Sequence, residues 1–264
     1  MNLAGSRALV TGASRGIGES IARELAGRGA HVALVARSEG PLKELAAALG
    51  GIAYPADLAD ADQVGALIGR VEADGPIDVL VNNAGVDEVG WFPSLEPERL
   101  HDLLQVNFVA PVTLCRMVVP GMIERGRGHI VNVSSLAGVG AFPGLAPYSA
   151  TKAGLTHFTA GLRADLKGLP VGTTVVEVGL VPTDMGANVN GYAPTRDSFG
   201  RFYKLHLLAD VSKEKIAVDV ADAVERNRRH VRHPKRALAF PLLSEAPRGI
   251  TAAFLARVSH REEP

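Results

Sequence analysis

Cysteine is all but absent from the chain. Cys115 is the only one, so no disulfide can close within it, and a reducing compartment suits that composition. Its setting, LCRMVV, reads as a helix in which Cys115 is a small buried hydrophobe. Net charge is missing too: 28 basic and 28 acidic residues cancel. That removes the usual electrostatic reason to expect a nucleic-acid partner. No run of 18 apolar residues offers a membrane span, and the opening MNLAGSRALVTG lacks the basic start and apolar core of an export signal. The expectation is a cytoplasmic protein. No His or Cys cluster has metal-ligand spacing, so no metal is expected.

What the chain does have is 47% hydrophobic residues and 29 glycines among 264. Short β-branched apolar runs alternate with segments of helical period. RALVTG, HVALVAR, IAYPAD, IDVLVNNAG, GHIVNVSS and TTVVEVGLV read as strands, with ALAFPL as a last one. Helices are expected near 17–28, 40–49, 60–73, 96–125, 147–167 and 217–229. Continuously apolar strands separated by helices imply a parallel sheet covered on both faces, the doubly wound α/β fold of Rossmann type. No repeat, linker or low-complexity tract divides the chain, so residues 1–264 are read as one domain. Within it, 186–216 reads as a lid over the substrate and 237–264 as a divergent C-terminal strand and tail.

The segment Thr11-Gly12-Ala13-Ser14-Arg15-Gly16-Ile17-Gly18 follows the first strand directly and opens the first helix. Glycines there permit a tight turn and close backbone approach, and the helix N-terminus turns its free N–H groups toward a pyrophosphate. The spacing is GxxxGxG, a variant of the usual dinucleotide fingerprint. A dinucleotide fold commonly ends its second strand with an acid for the ribose of NAD or a basic residue for the 2′-phosphate of NADP. Here the strand ends Ala36-Arg37, and Arg15 sits within the glycine loop. Two guanidiniums suit a phosphate dianion, which favours NADP(H) over NAD(H).

Tyr148 stands four residues before Lys152 in PYSATKAGL, a stretch of otherwise small residues. On a helix this spacing places phenol and ammonium on one face, beside room for something large.

Taken in order, these motifs resemble the short-chain dehydrogenase/reductase family across roughly residues 5–185. TGASRGIG resembles its cofactor loop, Asp57-Leu58 its adenine-contacting pair, Asn83-Ala84-Gly85 the end of its NNAG strand, and Tyr148 with Lys152 its YxxxK. The family's catalytic serine stands thirteen residues before the tyrosine, which selects Ser135 over Ser134. The resemblance implies hydride transfer between NADP(H) and a carbonyl or secondary alcohol. In it Tyr148 is general acid/base, Lys152 lowers the tyrosine pKa and binds the nicotinamide ribose, Ser135 donates to the substrate oxygen, and Asn107 holds a water for proton resupply. Val181 and Thr183 would meet the nicotinamide. A homodimer or homotetramer through the helices bearing Asn107 and Tyr148 is also implied.

The chain departs from the family pattern where Pro-Gly is usual after the sixth strand, with Val178 in the proline position. Tyr192, Phe199, Phe202 and Tyr203, four of the chain's thirteen aromatic residues, fall in the lid and are expected to line a lipophilic substrate, steroid- or retinoid-like or another ketone. The alternative substrate is a 3-oxoacyl chain on a carrier protein or CoA. A non-catalytic NADP-binding sensor is a third reading, weakened because the four catalytic residues are all present. The basic run Arg226–Arg236 reads as a solvated helix end followed by a loop, and with the apolar tail beyond it leaves peripheral membrane contact open.

Overall fold

The computed structural model describes residues 1–140, 142–181, 191–204 and 209–234. Seven strands form a single parallel sheet: β1 (Arg7–Thr11), β2 (His31–Ala36), β3 (Ile52–Pro55), β4 (Val79–Asn82), β5 (Gly128–Ser135), β6 (Val171–Val178) and β7 (His230–His233). Their spatial order is β3-β2-β1-β4-β5-β6-β7, reversing direction between β1 and β4. The fold is therefore the doubly wound α/β arrangement that the alternation of strands and helices predicts.

Alternate strand residues feed two apolar layers, as the period of two requires. Val10, Val81, Val131 and Val176 face one side with Ile21 and Leu25 of α1 (Gly16–Gly27), Leu42 of α2 (Glu39–Leu49) and Val220 of a late helix, Lys213–Glu225. Leu9, Leu80 and Ile130 face the other with Leu67 of α3 (Ala61–Glu72) and Leu114 of α5 (Ala110–Glu124). Leu166, just past α6 (Ala146–Asp165), joins this second layer. The helix starts have local causes. Asp60 caps α3 by accepting from the backbone N–H groups of Asp62 and Gln63, and Asp57 shapes the preceding turn by accepting from Ala59 N–H.

The helix expected over 96–125 is present over Pro97–Glu124 and carries a π turn within it. It runs as α4 (Pro97–Leu104), a π turn (Gln105–Val109) and α5, with Asn107 in the middle of the turn. Leu103, Val106, Ala110, Leu114, Val118 and Met122 are buried along it, which accounts for a length and apolarity that a membrane-spanning helix would share.

The other differences lie near the C-terminal end. The helix expected at 217–229 is Lys213–Glu225, started by Ser212, whose hydroxyl accepts from Lys215 N–H. The basic run is not simply a solvated helix end and loop, because its residues His230–His233 form β7 against β6. The reason is Glu177, buried in β6, which takes hydrogen bonds from His230 (2.8 Å) and Arg232 (2.6 Å). Cations that look solvated in the sequence are the counter-charges of a buried carboxylate. Val178, in the place of the usual proline, continues β6 and pairs with β7. ALAFPL and the rest of the 237–264 tail lie outside the described residues.

α7 (Ala193–Lys204) covers the segment that leads into α6, and the late helix Lys213–Glu225 is α8.

Candidate active site

The glycine loop sits at the carboxyl end of β1, at the point where strand order reverses. Gly12 is left-handed (φ 65°), and a Cβ there would come within 2.8 Å of Ala84 Cα. A Cβ on Gly18 would overlap the Gly12 carbonyl oxygen and Asn83 Nδ2. Backbone thus meets backbone across β1 and β4, which only glycine allows. Arg15, the N-cap of α1, gives it no side-chain cap, and the N–H groups of a helix start are suited to an anionic ligand. Ser14 and Ile17 are half-buried beside this turn.

Thr11 organises the seam, although the motif alone gave no reason to single it out. Its hydroxyl donates to Val81 O and accepts from the N–H groups of Asn83 and Ala84 (both 3.0 Å), while Asn83 Nδ2 donates to Thr11 O. Gly85 follows at the same edge. Arg37, exposed just past β2, lies 4.0 Å from Asp57, and Leu58 is buried behind them. Arg15 is exposed at the tip of the loop.

Ser135 ends β5, and Tyr148 and Lys152 lie one turn apart on α6. The Ser135 hydroxyl donates to Val178 O (3.4 Å) and accepts from Ala137 N–H. Lys152 Nζ stands 5.9 Å from the Tyr148 ring centroid and donates to Val133 O at 3.1 Å. Ser134 is separate: its hydroxyl donates to Lys152 O and accepts from Thr156. It ties α6 to β5.

Burial pushes the Tyr148 phenol up to about 12, against the Ser135 hydrogen bond and with a further push from the charge of Asp87. Burial brings the Lys152 ammonium down to about 8. In the chain alone burial raises the phenol, whereas the lowering expected at the site counts the charge of a bound nicotinamide as well as Lys152. Desolvation of a phenolate outweighs an ammonium held 5.9 Å from the ring centroid.

Asn107 is fully buried and holds the chain beyond NNAG. Its Oδ1 accepts from Val86 N–H (2.9 Å), and its Nδ2 donates to Val86 O (2.8 Å) and Thr151 Oγ1 (3.3 Å). Thr151 in turn donates to Tyr148 O. The π turn that aims Asn107 inward could not be read from the sequence, and Thr151 gives no signal beyond lying between Tyr148 and Lys152.

An aromatic wall stands beside Tyr148. Phe142 stacks on Phe199 with centroids 4.7 Å apart and meets Phe202 edge-on at 5.5 Å. Leu136, Ala137 and Leu145 complete the buried group, with Val89, Tyr148 and Tyr203 packed against it. Tyr192 is buried against Gly144, and Tyr203 donates to Asp210. The expected lid aromatics therefore do pack next to the site, around Phe142, a residue the sequence did not mark. Val181 is buried at the end of the segment after β6, whereas Thr183 lies outside the described residues. Among the described residues no cluster of His, Cys, Asp or Glu could hold a metal.

The profile described as short chain dehydrogenase matches residues 6–192. The ketoacyl reductase HetN of Nostoc sp. is 40% identical over 199 residues, covering 73% of this chain and 69% of HetN. The probable oxidoreductase EphD of Mycobacterium tuberculosis is 36% identical over 232 residues, which is 83% of this chain but only 39% of EphD. A short-chain dehydrogenase from Sphingobium yanoikuyae, solved with NADPH, superposes with a TM-score of 0.78 at 28% identity and covers 94% of this chain and 95% of its own. By the profile over residues 6–192 and the identity to these relatives, this chain belongs to the short-chain dehydrogenase/reductase family of oxidoreductases.

Proposed function

We propose that the protein is an NADP(H)-dependent oxidoreductase that interconverts a ketone and a secondary alcohol on a predominantly lipophilic small molecule. The observation that carries this reading is the placement of Lys152, one turn after Tyr148 on α6, with its Nζ 5.9 Å from the Tyr148 ring and bonded to Val133 O of β5, the strand that Ser135 ends. Gly12, Ser14, Arg15, Gly16, Ile17 and Gly18 would hold the pyrophosphate. Arg15 and Arg37 would take the 2′-phosphate, and Asp57 and Leu58 the adenine. Asn83, Ala84, Gly85, Val181, Thr183 and Lys152 would hold the nicotinamide end. The start of α1, to which the N-cap Arg15 gives no side-chain cap, fits such a ligand.

When bound, the nicotinamide supplies or accepts the hydride. The chain does the rest. Ser135 donates a hydrogen bond to the carbonyl oxygen and stabilises its growing negative charge. Tyr148 passes its proton to that oxygen in reduction and takes one back in oxidation. A phenol kept protonated by burial is well suited to the first task. For the second, the Lys152 ammonium and the positive charge of the oxidised ring both favour the phenolate. Asn107 positions Val86 and Thr151 around this unit, and the relay role that the family implies for it belongs to the same proposal. Solved relatives include complexes with NADP and with NAD, so the preference for NADP(H) rests on Arg15 and Arg37.

The likeness to a ketoacyl reductase supports a second reading, reduction of a 3-oxoacyl thioester. The test is NADPH and NADH binding, followed by NADPH oxidation with hydrophobic ketones and 3-oxoacyl thioesters. Replacing Tyr148 by Phe should cut turnover by about 10²–10⁴-fold with NADPH binding retained. Tight NADPH binding with no turnover on either class would point instead to a sensor.

A further inference from the structure

Just ahead of the catalytic helix, Phe142-Pro143-Gly144-Leu145 forms a type II turn. Proline fixes φ at the first central position, Gly144 is left-handed at the second (φ 77°), and Leu145 N–H closes the turn on Phe142 O at 3.2 Å. Leu145 is also the N-cap of α6, so this turn sets where the helix bearing Tyr148 starts. Two covering elements are anchored on it. Gly90 N–H, from the loop after β4, donates to Gly144 O at 3.1 Å, and Thr195 of α7 donates to Pro143 O at 2.7 Å. A Cβ on Gly144 would lie 2.5 Å from Thr195 Oγ1 and 2.6 Å from the Tyr192 ring. The start of α7 is therefore seated directly on the backbone of the turn.

Two hydroxyls on α7 are fully buried, and they are used differently. Ser198 makes the local bond common in helices, donating to Pro194 O at 2.8 Å. Thr195 instead reaches a carbonyl 52 positions earlier in the chain. The stack of Phe142 on Phe199 and its edge contact with Phe202 continue the same seam. A buried hydroxyl and a buried carbonyl are costly unless they meet, so the pair fixes the register of α7 on the turn. Shifting the helix by one residue would part both groups and swing Phe199 about 100° away from Phe142. We propose that Thr195 is a positioning residue for the reaction. Its bond to Pro143 O holds the Phe199–Phe202 face of α7 at one setting against the turn that starts α6, and so sets how the apolar part of a bound ketone stands relative to the Tyr148 hydroxyl. This proposal rests on the oxidoreductase reading and adds to it the residue that orients the substrate wall.

Thr195→Val removes the hydroxyl at nearly constant volume, and Thr195→Ser keeps it. NADPH titration of each variant checks that it is folded. The probes are 2-acetonaphthone, with a large apolar body for the aromatic face, and 2-butanone, with almost none, each reduced with NADPH. Thr195→Val should lower the ratio of kcat/KM for 2-acetonaphthone over 2-butanone by about fivefold or more, the size of one hydrogen bond, and Thr195→Ser should keep most of it. A merely structural loss would slow both ketones together and leave the ratio unmoved. Amide hydrogen exchange over 193–204 should quicken in Thr195→Val and not in Thr195→Ser. An unchanged ratio or unchanged exchange in folded Thr195→Val protein overturns the role of Thr195 and leaves the oxidoreductase reading standing. Wild-type protein that binds NADPH and reduces neither ketone overturns both.

Discussion

Gly18→Ala isolates the architecture of the dinucleotide loop from its chemistry. The added methyl would overlap the Gly12 carbonyl oxygen and Asn83 Nδ2 and come within 2.8 Å of the Gly12 carbonyl carbon. Two of these atoms are backbone, so no rotamer change relieves the overlap. Overpacking of this kind costs about 1–3 kcal/mol. The Asn83 amide would also be displaced from Thr11 O and Gly12 O, its partners at 3.0 and 3.3 Å, for roughly another 1 kcal/mol. A total of about 3 kcal/mol should lower Tm by about 6–12 °C in a domain of this size. NADPH affinity should fall alongside it, because the carbonyl that moves belongs to the phosphate loop. Gly65→Ala is the control: a Cβ on this exposed α3 residue meets nothing within 4 Å, and helix propensity predicts a gain of about 0.5–1 kcal/mol. Thermal unfolding and NADPH fluorescence titration measure both quantities. A Gly18→Ala protein with wild-type Tm and wild-type NADPH affinity would refute the argument that this contact needs a bare backbone.

Three further outcomes are expected. Burial pushes the His129 imidazole down from 6.5 to about 3; the unfolded chain therefore takes up a proton below pH 6.5 that the folded one refuses, and stability should fall by about 1.4 kcal/mol per pH unit as pH drops toward 3. His129→Gln should remove about one proton from that slope in denaturant melts between pH 6.5 and 5, and an unaltered slope would count against it. Burial alone would raise the Glu177 carboxyl, but His230 and Arg232 hold it below its ordinary value, so its contribution is present above pH 4.5 and lost on acidification. Glu177→Ala strands Arg232, only 12% exposed, and should cost about 3–5 kcal/mol in equilibrium unfolding. Asn107→Leu keeps the volume but frees Val86 N–H and O, so a loss of about 2–4 kcal/mol should accompany reduced kcat/KM. Wild-type stability in that variant would show that the two bonds to Val86 do not hold the loop.

The sheet was readable because its strands are buried on both faces and so carry apolar residues without interruption, as in Leu9-Val10 and Ile130-Val131. The glycine loop and Tyr148–Lys152 were readable because their chemistry fixes residue type at short spacing. β7 was hidden for the opposite reason: HVRH earns its place in the sheet by neutralising Glu177, more than fifty residues away in the chain, and a long-range ion pair leaves no local period. Phe142 escaped notice because it depends on a neighbour from another element, Phe199.

The π turn at Gln105–Val109 amounts to one residue more than a continuous α-helix would use. Each residue turns an α-helix by about 100°, so the turn sets the phase of α4 independently of that of α5. Leu114 and Val118 can then face the sheet while Asn107 faces Val86 and Thr151. Excision of a single residue from this turn would let the helix close into regular α form with its ends a hundred degrees out of step. The core or the loop over Tyr148 would have to yield, which makes the helix a place where length, more than composition, is under constraint.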